Sequence, residues 1–397
     1  MKPLRITAYT LSSSAGHGRE QTLAHLHERR SGLTLNDFGA TPLATWIGRV
    51  AGLESDPLPK RFAKWDCRNN RLAWRGLTAD GFISSVLAAR ERYGPDRVAV
   101  IVGTSTSSIG ASEEAYRRLE PDGRYPPDLR RPIIHTPHSL GDFVQHALEL
   151  TGISMTVATA CSSSAKVFAQ AQRIVEIGLA DAVLVGGVDT LCDSVLFGFN
   201  SLELISPDPC RPFDRERRGI NIGEAAGFAL LERGAERGPW LLACGETSDA
   251  HHMSTPHPEG LGARLALEQA LARAKLTPDE IDYINLHGTA TRKNDEVEAT
   301  VIRDLFPATT FASSTKGWTG HTLGAAGIIE AGITLIALER GFLPGTLNCD
   351  QLDECCGPQI QRDNANRSAQ YALSLSFGFG GSNCVLALAA DDAKVSG

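Results

Sequence analysis

Aromatic side chains make up only 6% of this 397-residue chain, and methionine occurs three times. No apolar run is long enough to cross a bilayer, which excludes a helical membrane protein. The opening Met1-Lys2-Pro3-Leu4-Arg5-Ile6 has no apolar signal core, so export is not expected. An excess of positive charge is also missing: the formal net charge is −7, which offers nucleic acid no general attraction. The nine cysteines are odd in number and irregular in spacing, so they form no disulfide framework and point to a reducing cytoplasm. The one adjacent pair, Cys355-Cys356, has no Cys or His at metal-ligand spacing and reads as a loop. Low-complexity tracts are absent, and no internal repeat is strong enough to prove duplication.

What is present describes a compact α/β enzyme with many tight turns: 42% hydrophobic residues and 39 glycines. Short apolar runs at 98–102, 182–185, 226–231, 283–286 and 371–375 predict buried strands. Longer helix-like stretches lie between them, at 164–178, 262–274 and 325–340. Strands alternating with helices predict parallel sheets covered on both faces. The charged, turn-rich segment 233–240 divides the chain into unequal halves.

Cys161 is the most informative residue. It lies in Ala158-Thr159-Ala160-Cys161-Ser162-Ser163-Ser164, between an alternating apolar stretch and a helix-like run. A thiol at a strand-to-helix turn meets the positive end of the helix dipole, which favours its thiolate and lowers its pKa. Small neighbours leave room for a ligand to reach the sulfur. Burial as an inert structural thiol is the competing fate.

The second half carries three clusters, each in a turn after a predicted strand. His287-Gly288-Thr289-Ala290-Thr291 places a histidine at a strand end, followed by two hydroxyls. Ser313-Ser314-Thr315-Lys316-Gly317-Trp318-Thr319-Gly320-His321 sets a lysine and a second histidine five residues apart. Ser376-Phe377-Gly378-Phe379-Gly380-Gly381-Ser382-Asn383 is a glycine-rich turn whose backbone N–H groups are suited to an oxyanion. Two histidines in Gly-flanked loops, with an activated cysteine, point to nucleophilic catalysis. Zinc fits less well. Paired local ligand spacing is lacking, and the Lys316 charge opposes a cation.

These four segments, in this order and spacing, resemble the β-ketoacyl-acyl carrier protein synthases of the thiolase superfamily. Arg211-Pro212-Phe213-Asp214 and Gly223-Glu224-Ala225-Ala226-Gly227 extend the resemblance over about residues 95–390. It is nearest the synthase I/II branch, given the short approach Gly152-Ile153-Ser154-Met155 and the segment Leu338-Glu339-Arg340-Gly341-Phe342-Leu343-Pro344. The resemblance weakens before residue 95, and 135–139 is unusually polar where relatives carry pocket and dimer-interface residues. The resemblance implies fatty acid or polyketide biosynthesis. Those departures count against a housekeeping fatty-acid role and suggest a dedicated synthase of a polyene or other secondary pathway, such as the aryl polyene type.

The resemblance implies a thiolase-like α/β fold. Two similar βαβαβ halves, 1–235 with the cysteine and 236–397 with the histidines, would form an α-β-α-β-α layering. It implies decarboxylative Claisen condensation of an acyl chain on Cys161 with malonyl-acyl carrier protein. His287 and His321 would stabilise the enolate, and the N–H groups of Cys161 and Phe379 would form the oxyanion hole. Phe379 would also gate the cysteine, and Lys316 would be fixed by Glu298. Thr289 and Thr291 would bind the pantetheine arm, and Thr106 would sit near the pocket floor. No metal or dissociable cofactor is implied, because the carrier protein's phosphopantetheine delivers both substrates. The subunit would pair, as a homodimer or with a chain-length-factor subunit.

Lys60, Arg61, Lys64, Arg68, Arg71 and Arg75 recur at helical spacing, with Asp66 the only acid among them. Such a stripe is either a solvated helix face or a docking surface for an acidic partner. The resemblance favours docking of the carrier protein, against which Glu203 stands where many relatives carry a basic residue. Two other readings are weaker. A thiolase needs a second reactive cysteine where this chain has Phe379. A non-catalytic synthase-like partner subunit would lack the nucleophile.

Overall fold

Ten strands, joined by a short strand Gly16–His17, form one 11-stranded sheet in the computed structural model, which describes residues 2–395. The first half supplies β1 (Leu4–Ser13), β2 (Val98–Gly103), β3 (Ser154–Val157), β4 (Ala182–Asp189) and β5 (Ala225–Glu232). The second supplies β6 (Trp240–Ser248), β7 (Tyr283–Asn285), β8 (Phe311–Ser313), β9 (Tyr371–Gly378) and β10 (Ser382–Ala389). The order across the sheet is β8-β7-β9-β10-β6-β1-β5-β4-β2-β3. All five runs expected as strands lie in it. β1, β3, β6, β8 and β10 fall outside those runs.

The duplication absent from the sequence is present in the topology. Counted from its outer edge, each half reads third, second, fourth, fifth, first strand. In each, the second strand is parallel to the third and fourth, and the fifth is antiparallel to the fourth and first. The halves meet where β1 pairs β6 through Leu4 with Leu241 and Arg5 with Trp240.

Six helices matter for the site: α1 (Arg68–Thr78), α2 (Ser163–Glu176), α3 (Asp193–Ser201), α4 (Leu261–Ala274), α5 (Arg292–Leu305) and α6 (Ala326–Arg340). Both α2 and α6 touch strands of the two halves and each other, so they form a central helical layer. The outer layers include α1 against β5 and β1, and α4 against β6 and β10. This is the five-layered thiolase-like arrangement. Every residue of α6 from Ala326 to Leu338 is buried, which explains a run apolar on all sides. The helices approach closely because α6 begins with small residues. A Cβ on Gly327 would lie 2.5 Å from the backbone nitrogen of Ala165 on α2. The crossing is pinned by the Ile328 N–H, which donates to Ser164 Oγ at 2.9 Å. It sets the N-termini of α2 and α6 side by side, and with them the turns carrying Cys161 and His321. Among the described residues, no helix is long and apolar enough to cross a membrane.

Candidate active site

Cys161 occupies the turn between β3 and α2. The turn is held by side chains: Thr159 N–H donates to Ser163 Oγ at 2.9 Å, while Ser162 and Ser163 hydroxyls donate to the carbonyls of Thr159 and Ala160. Ala160 has a φ of 52°, a left-handed conformation costly for a residue with a side chain. Such strain is of order 1–3 kcal/mol and must be held by its surroundings. The glycine-rich turn after β9 lies against this one, since a Cβ on Gly378 would meet Thr159 O at 2.9 Å.

His321 Nε2 lies 3.1 Å from Cys161 Sγ. The His287 and His321 rings are 5.4 Å apart and nearly perpendicular, at 88°. The hydrogen bonds assign both tautomers. Leu323 N–H donates to His321 Nδ1 at 3.1 Å, leaving the ring proton on Nε2. Lys316 Nζ lies 3.3 Å from His287 Nδ1 and also donates to His287 O and to Glu330. An ammonium group has three donors and no acceptor, so His287 Nδ1 must accept and its proton resides on Nε2. Burial and then the Lys316 charge hold both imidazoles well below their ordinary range, so they are neutral N–H donors.

The electrostatics of Cys161 differ from the expected lowering. Burial pushes its thiol up to about 11, outweighing the backbone N–H groups of Phe379 and Cys161 and the Lys316 charge, all of which favour the thiolate. The resting group is a thiol surrounded by donors already aimed at its sulfur.

The cysteine lies in a cleft of about 450 Å³, lined also by His287, His321, Thr289, Thr291 and Phe379. Thr289 and Thr291 hydroxyls are 2.9 Å apart. Phe379 packs beside Phe199, with ring centroids 5.5 Å apart. At the mouth stand Arg218, Arg292 and Lys293. Cys161 Sγ and one nitrogen of each histidine lie within 4.8 Å of one another, a spacing a metal ion could span. The adjacent Lys316 ammonium and the two Nε2–H tautomers disfavour a cation and favour an anion.

Comparison with known proteins agrees with this geometry. Residues 70–237 match the family model "Beta-ketoacyl synthase, N-terminal domain" and residues 240–350 match "Beta-ketoacyl synthase, C-terminal domain". The chain belongs to the β-ketoacyl synthase family. Nodulation protein E of Rhizobium meliloti (strain 1021) is 34% identical over 306 residues, covering 73% of this chain and 75% of that protein. The mitochondrial 3-oxoacyl-[acyl-carrier-protein] synthase of Arabidopsis thaliana is 36% identical over 260 residues, covering 60% of this chain and 56% of that one. Among solved structures, the ketosynthase ApeO in complex with its chain length factor ApeC, from Xenorhabdus doucetiae, has a TM-score of 0.90 and 36% identity, with 98% of each chain covered. The synthase is thus a condensing acyltransferase of fatty acid or polyketide biosynthesis.

Three further sequence expectations are corrected by the structure. Glu298 does not hold Lys316: its two oxygens accept the backbone N–H groups of His287 and Gly288, each at 2.7 Å, while Glu330 is the partner of Lys316. Burial raises the Glu298 carboxyl to about 8 and the Glu330 carboxyl to about 7. Glu330 was missed, although it is the one charge in the apolar core of α6 and so was visible. Thr106 does not line the cleft. Its N–H and hydroxyl both donate to the buried Asp189 carboxylate, at 3.0 and 2.8 Å.

The basic stripe, finally, is not one helix face. Lys60, Arg61 and Lys64 lie on a 3₁₀ turn, Lys60–Trp65, which the extended Asp66 separates from α1. Arg68 is bound to Glu54 and the buried Glu224, and Arg71 to Asp66 at 2.6 Å. These two arginines tie α1 to its neighbours. Lys60, Arg61 and Lys64 are exposed, and Lys64 lies over the Trp65 ring, 3.9 Å from its centroid.

Proposed function

We propose that the synthase transfers an acyl chain from a carrier-protein thioester to Cys161 and condenses it with malonyl-carrier protein. The observation that carries this reading is the convergence of two neutral Nε2–H donors and two backbone N–H groups on one buried thiol. Cys161 Sγ attacks the thioester carbonyl as its proton passes to the departing pantetheine sulfur, so thioester is exchanged for thioester. The N–H groups of Cys161 and Phe379 receive the oxyanion. Malonyl thioester then loses CO₂, and the Nε2–H groups of His287 and His321 stabilise the enolate oxygen. The enolate carbon bonds to the acyl carbonyl, the C–S bond to Cys161 breaks, and the 3-oxoacyl product remains on the carrier. Lys316, clamped by Glu330, fixes the His287 tautomer, and Glu298 fixes the backbone on which His287 stands. No step calls on a metal or a dissociable cofactor. Phe379 gates the cysteine, and Thr289 and Thr291 take the pantetheine arm.

The pathway we favour is of the aryl polyene type, with the chain as the active ketosynthase half of a heterodimer. The similarity to ApeO, whose structure holds a chain length factor, supports this. So does β3, a sheet edge whose four residues are half-buried or exposed and which needs a covering strand. The reducing environment suited to nine unpaired cysteines agrees with a cytoplasmic site of action. Incubation with a panel of acyl-carrier proteins, alone and with a chain-length-factor partner, should add the acyl mass to the Cys161 peptide. Labelling of any other cysteine instead would overturn the reading, and a stable active monomer in light scattering would overturn the pairing.

Carrier docking moves from the stripe to the cleft mouth, where Arg218, Arg292 and Lys293 surround the route to Cys161. Arg292 is exposed, and its neighbours form only exposed ion pairs, worth little on their own. Reversing Arg292 and Lys293 to Glu should raise KM for carrier-bound substrate and flatten its salt dependence. Turnover of a small pantetheine thioester should change little. Reversing Lys60 and Lys64 is the parallel arm, and a larger rise in KM there would return docking to the 3₁₀ turn. Arg68→Glu should unfold α1's attachment instead, because it leaves Glu224 buried beside a like charge.

A further inference from the structure

Cys355 and Cys356 stand apart from the other thiols of the synthase. Seven cysteines are buried, while these two are half-buried on a loop after β8 and α6. Eight of the nine thiols are pushed up from their ordinary value, most by burial, and Cys356 chiefly by its hydrogen bond with Cys355. Cys355 alone is drawn down, first by the hydrogen bond from the Cys356 thiol. Two adjacent thiols, both partly exposed, are the arrangement of a redox-reactive pair.

The loop carrying the pair is bonded to the wall of the active-site cleft. Asp353 Oδ1 accepts the Cys355 N–H at 3.1 Å, and Asp353 O accepts the Cys356 N–H at 3.0 Å. The other carboxylate oxygen of Asp353 binds Arg217 at 2.6 Å. Arg217 lines the cleft, is almost fully buried, and donates to Arg292 O at 3.3 Å, beneath the cleft mouth. A second link runs through Phe213, whose carbonyl accepts the Asp353 N–H at 2.9 Å and faces Cys356 Sγ at 3.8 Å. The Phe213 ring lies under Gly288, the residue after His287: a Cβ there would approach Phe213 Cε2 to 2.7 Å.

We propose that Cys355 and Cys356 form a reversible oxidation site, closing to a vicinal disulfide with peroxide and thereby loosening the Asp353–Arg217 clamp on the cleft wall. The Cys355 thiolate attacks the peroxide O–O bond, giving a sulfenic acid and one water. The Cys356 thiol then attacks the sulfenyl sulfur, forming S–S and releasing a second water. Two thiols lose two electrons, and hydrogen peroxide is reduced to two waters. A dithiol reductant reverses the step by exchange. Adjacent Cα atoms lie about 3.8 Å apart, below the usual disulfide span of about 4.4–6.8 Å. Ring closure must therefore twist the 355–356 backbone, and with it the N–H groups that hold Asp353. Strained bridges are the readily reduced ones, which suits a switch rather than a staple.

The test treats the intact synthase with increasing hydrogen peroxide up to the dose at which part of Cys161 is oxidised and part still turns over, alkylates the remaining thiols, and maps the peptides. The expected peptide has lost two hydrogens across Cys355 and Cys356, keeps Cys349 alkylated, and is restored by dithiothreitol. This mass readout does not depend on the proposed condensation. Oxidised protein should also show a severalfold rise in KM for carrier-bound substrate, absent in Cys356→Ser and in Cys355→Ser. Oxidation of Cys161 removes active molecules and lowers kcat without moving KM, so KM reports the pair. Alkylated Cys355 and Cys356 at the end of the treatment, or a bridge to Cys349, would overturn the site. A bridge that forms with KM unchanged would overturn its coupling to the cleft.

Discussion

Cys161→Ala should abolish condensation, at least about 10⁴-fold, the scale on which loss of a covalent nucleophile is felt. The cleft offers no substitute: the remaining cysteines do not line it, and its two histidines present N–H groups rather than lone pairs. Malonyl-carrier decarboxylation should survive in the same variant, because the enolate is stabilised by His287 and His321 and not by the sulfur. The split between the two half-reactions is the decisive readout, measured as CO₂ release against 3-oxoacyl product. Condensation retained in Cys161→Ala would mean that the acyl chain is carried elsewhere. Loss of both half-reactions would mean that the alanine collapses the turn. That turn is strained at Ala160 and leans on Ser162 and Ser163, so a folded variant, checked by thermal melting, belongs with the experiment. The raised Cys161 thiol sharpens the point. At pH 7 a thiol with a pKa of about 11 is ionised in roughly one molecule in 10⁴, so attack must be coupled to loss of the proton. Alkylation of Cys161 by iodoacetamide should therefore be slow at neutral pH and accelerate about tenfold per pH unit until the pH nears that pKa.

What the sequence made legible is what is local. The four catalytic turns were readable because each places its chemistry within a few residues of a strand end, and the structure sets all four around one cleft. Long-range electrostatics were not readable. Arg68 looked free because its partner Glu224 lies 156 residues away, and the stripe looked continuous because spacing alone does not reveal the break at Asp66. Cys161 looked activated because a helix N-terminus is visible in sequence whereas full burial is not, and here burial is the larger effect. Glu298 was given the place of Glu330 for the same reason. Both are acids on helices that follow a catalytic loop, and only packing shows which one meets Lys316 and which one meets the amides of His287 and Gly288. The two similar halves were expected from the resemblance and not from any repeat in the residues, because topology persists when side chains have diverged: both halves keep one strand order without a shared motif.

The two histidines should fail as a unit. His287→Ala or His321→Ala should each lower malonyl decarboxylation by about 10²–10³-fold, the usual cost of removing one donor from an oxyanion site. The double variant should cost much less than the product of the two, because one enolate oxygen is shared and a half-cradle holds it poorly. The pH profile separates this mechanism from acid catalysis by an imidazolium. Burial and the Lys316 charge lower both imidazoles, so each stays neutral as the pH falls through the ordinary value of 6.5. Decarboxylation in Glu330→Gln, where the Glu330 carboxyl raised to about 7 no longer titrates beside Lys316, should accordingly show no inflection there. Lys316→Ala removes the cation that lowers both rings and opens His287 Nδ1, so the His287 pKa should rise and an inflection should appear toward 6.5 as decarboxylation slows. Glu330→Gln keeps a hydrogen-bond acceptor for Lys316 and should preserve more activity than Glu330→Ala. Near-normal decarboxylation in either single histidine variant, or an inflection near 6.5 that persists in Glu330→Gln, would show that the imidazoles do not hold the enolate as neutral donors.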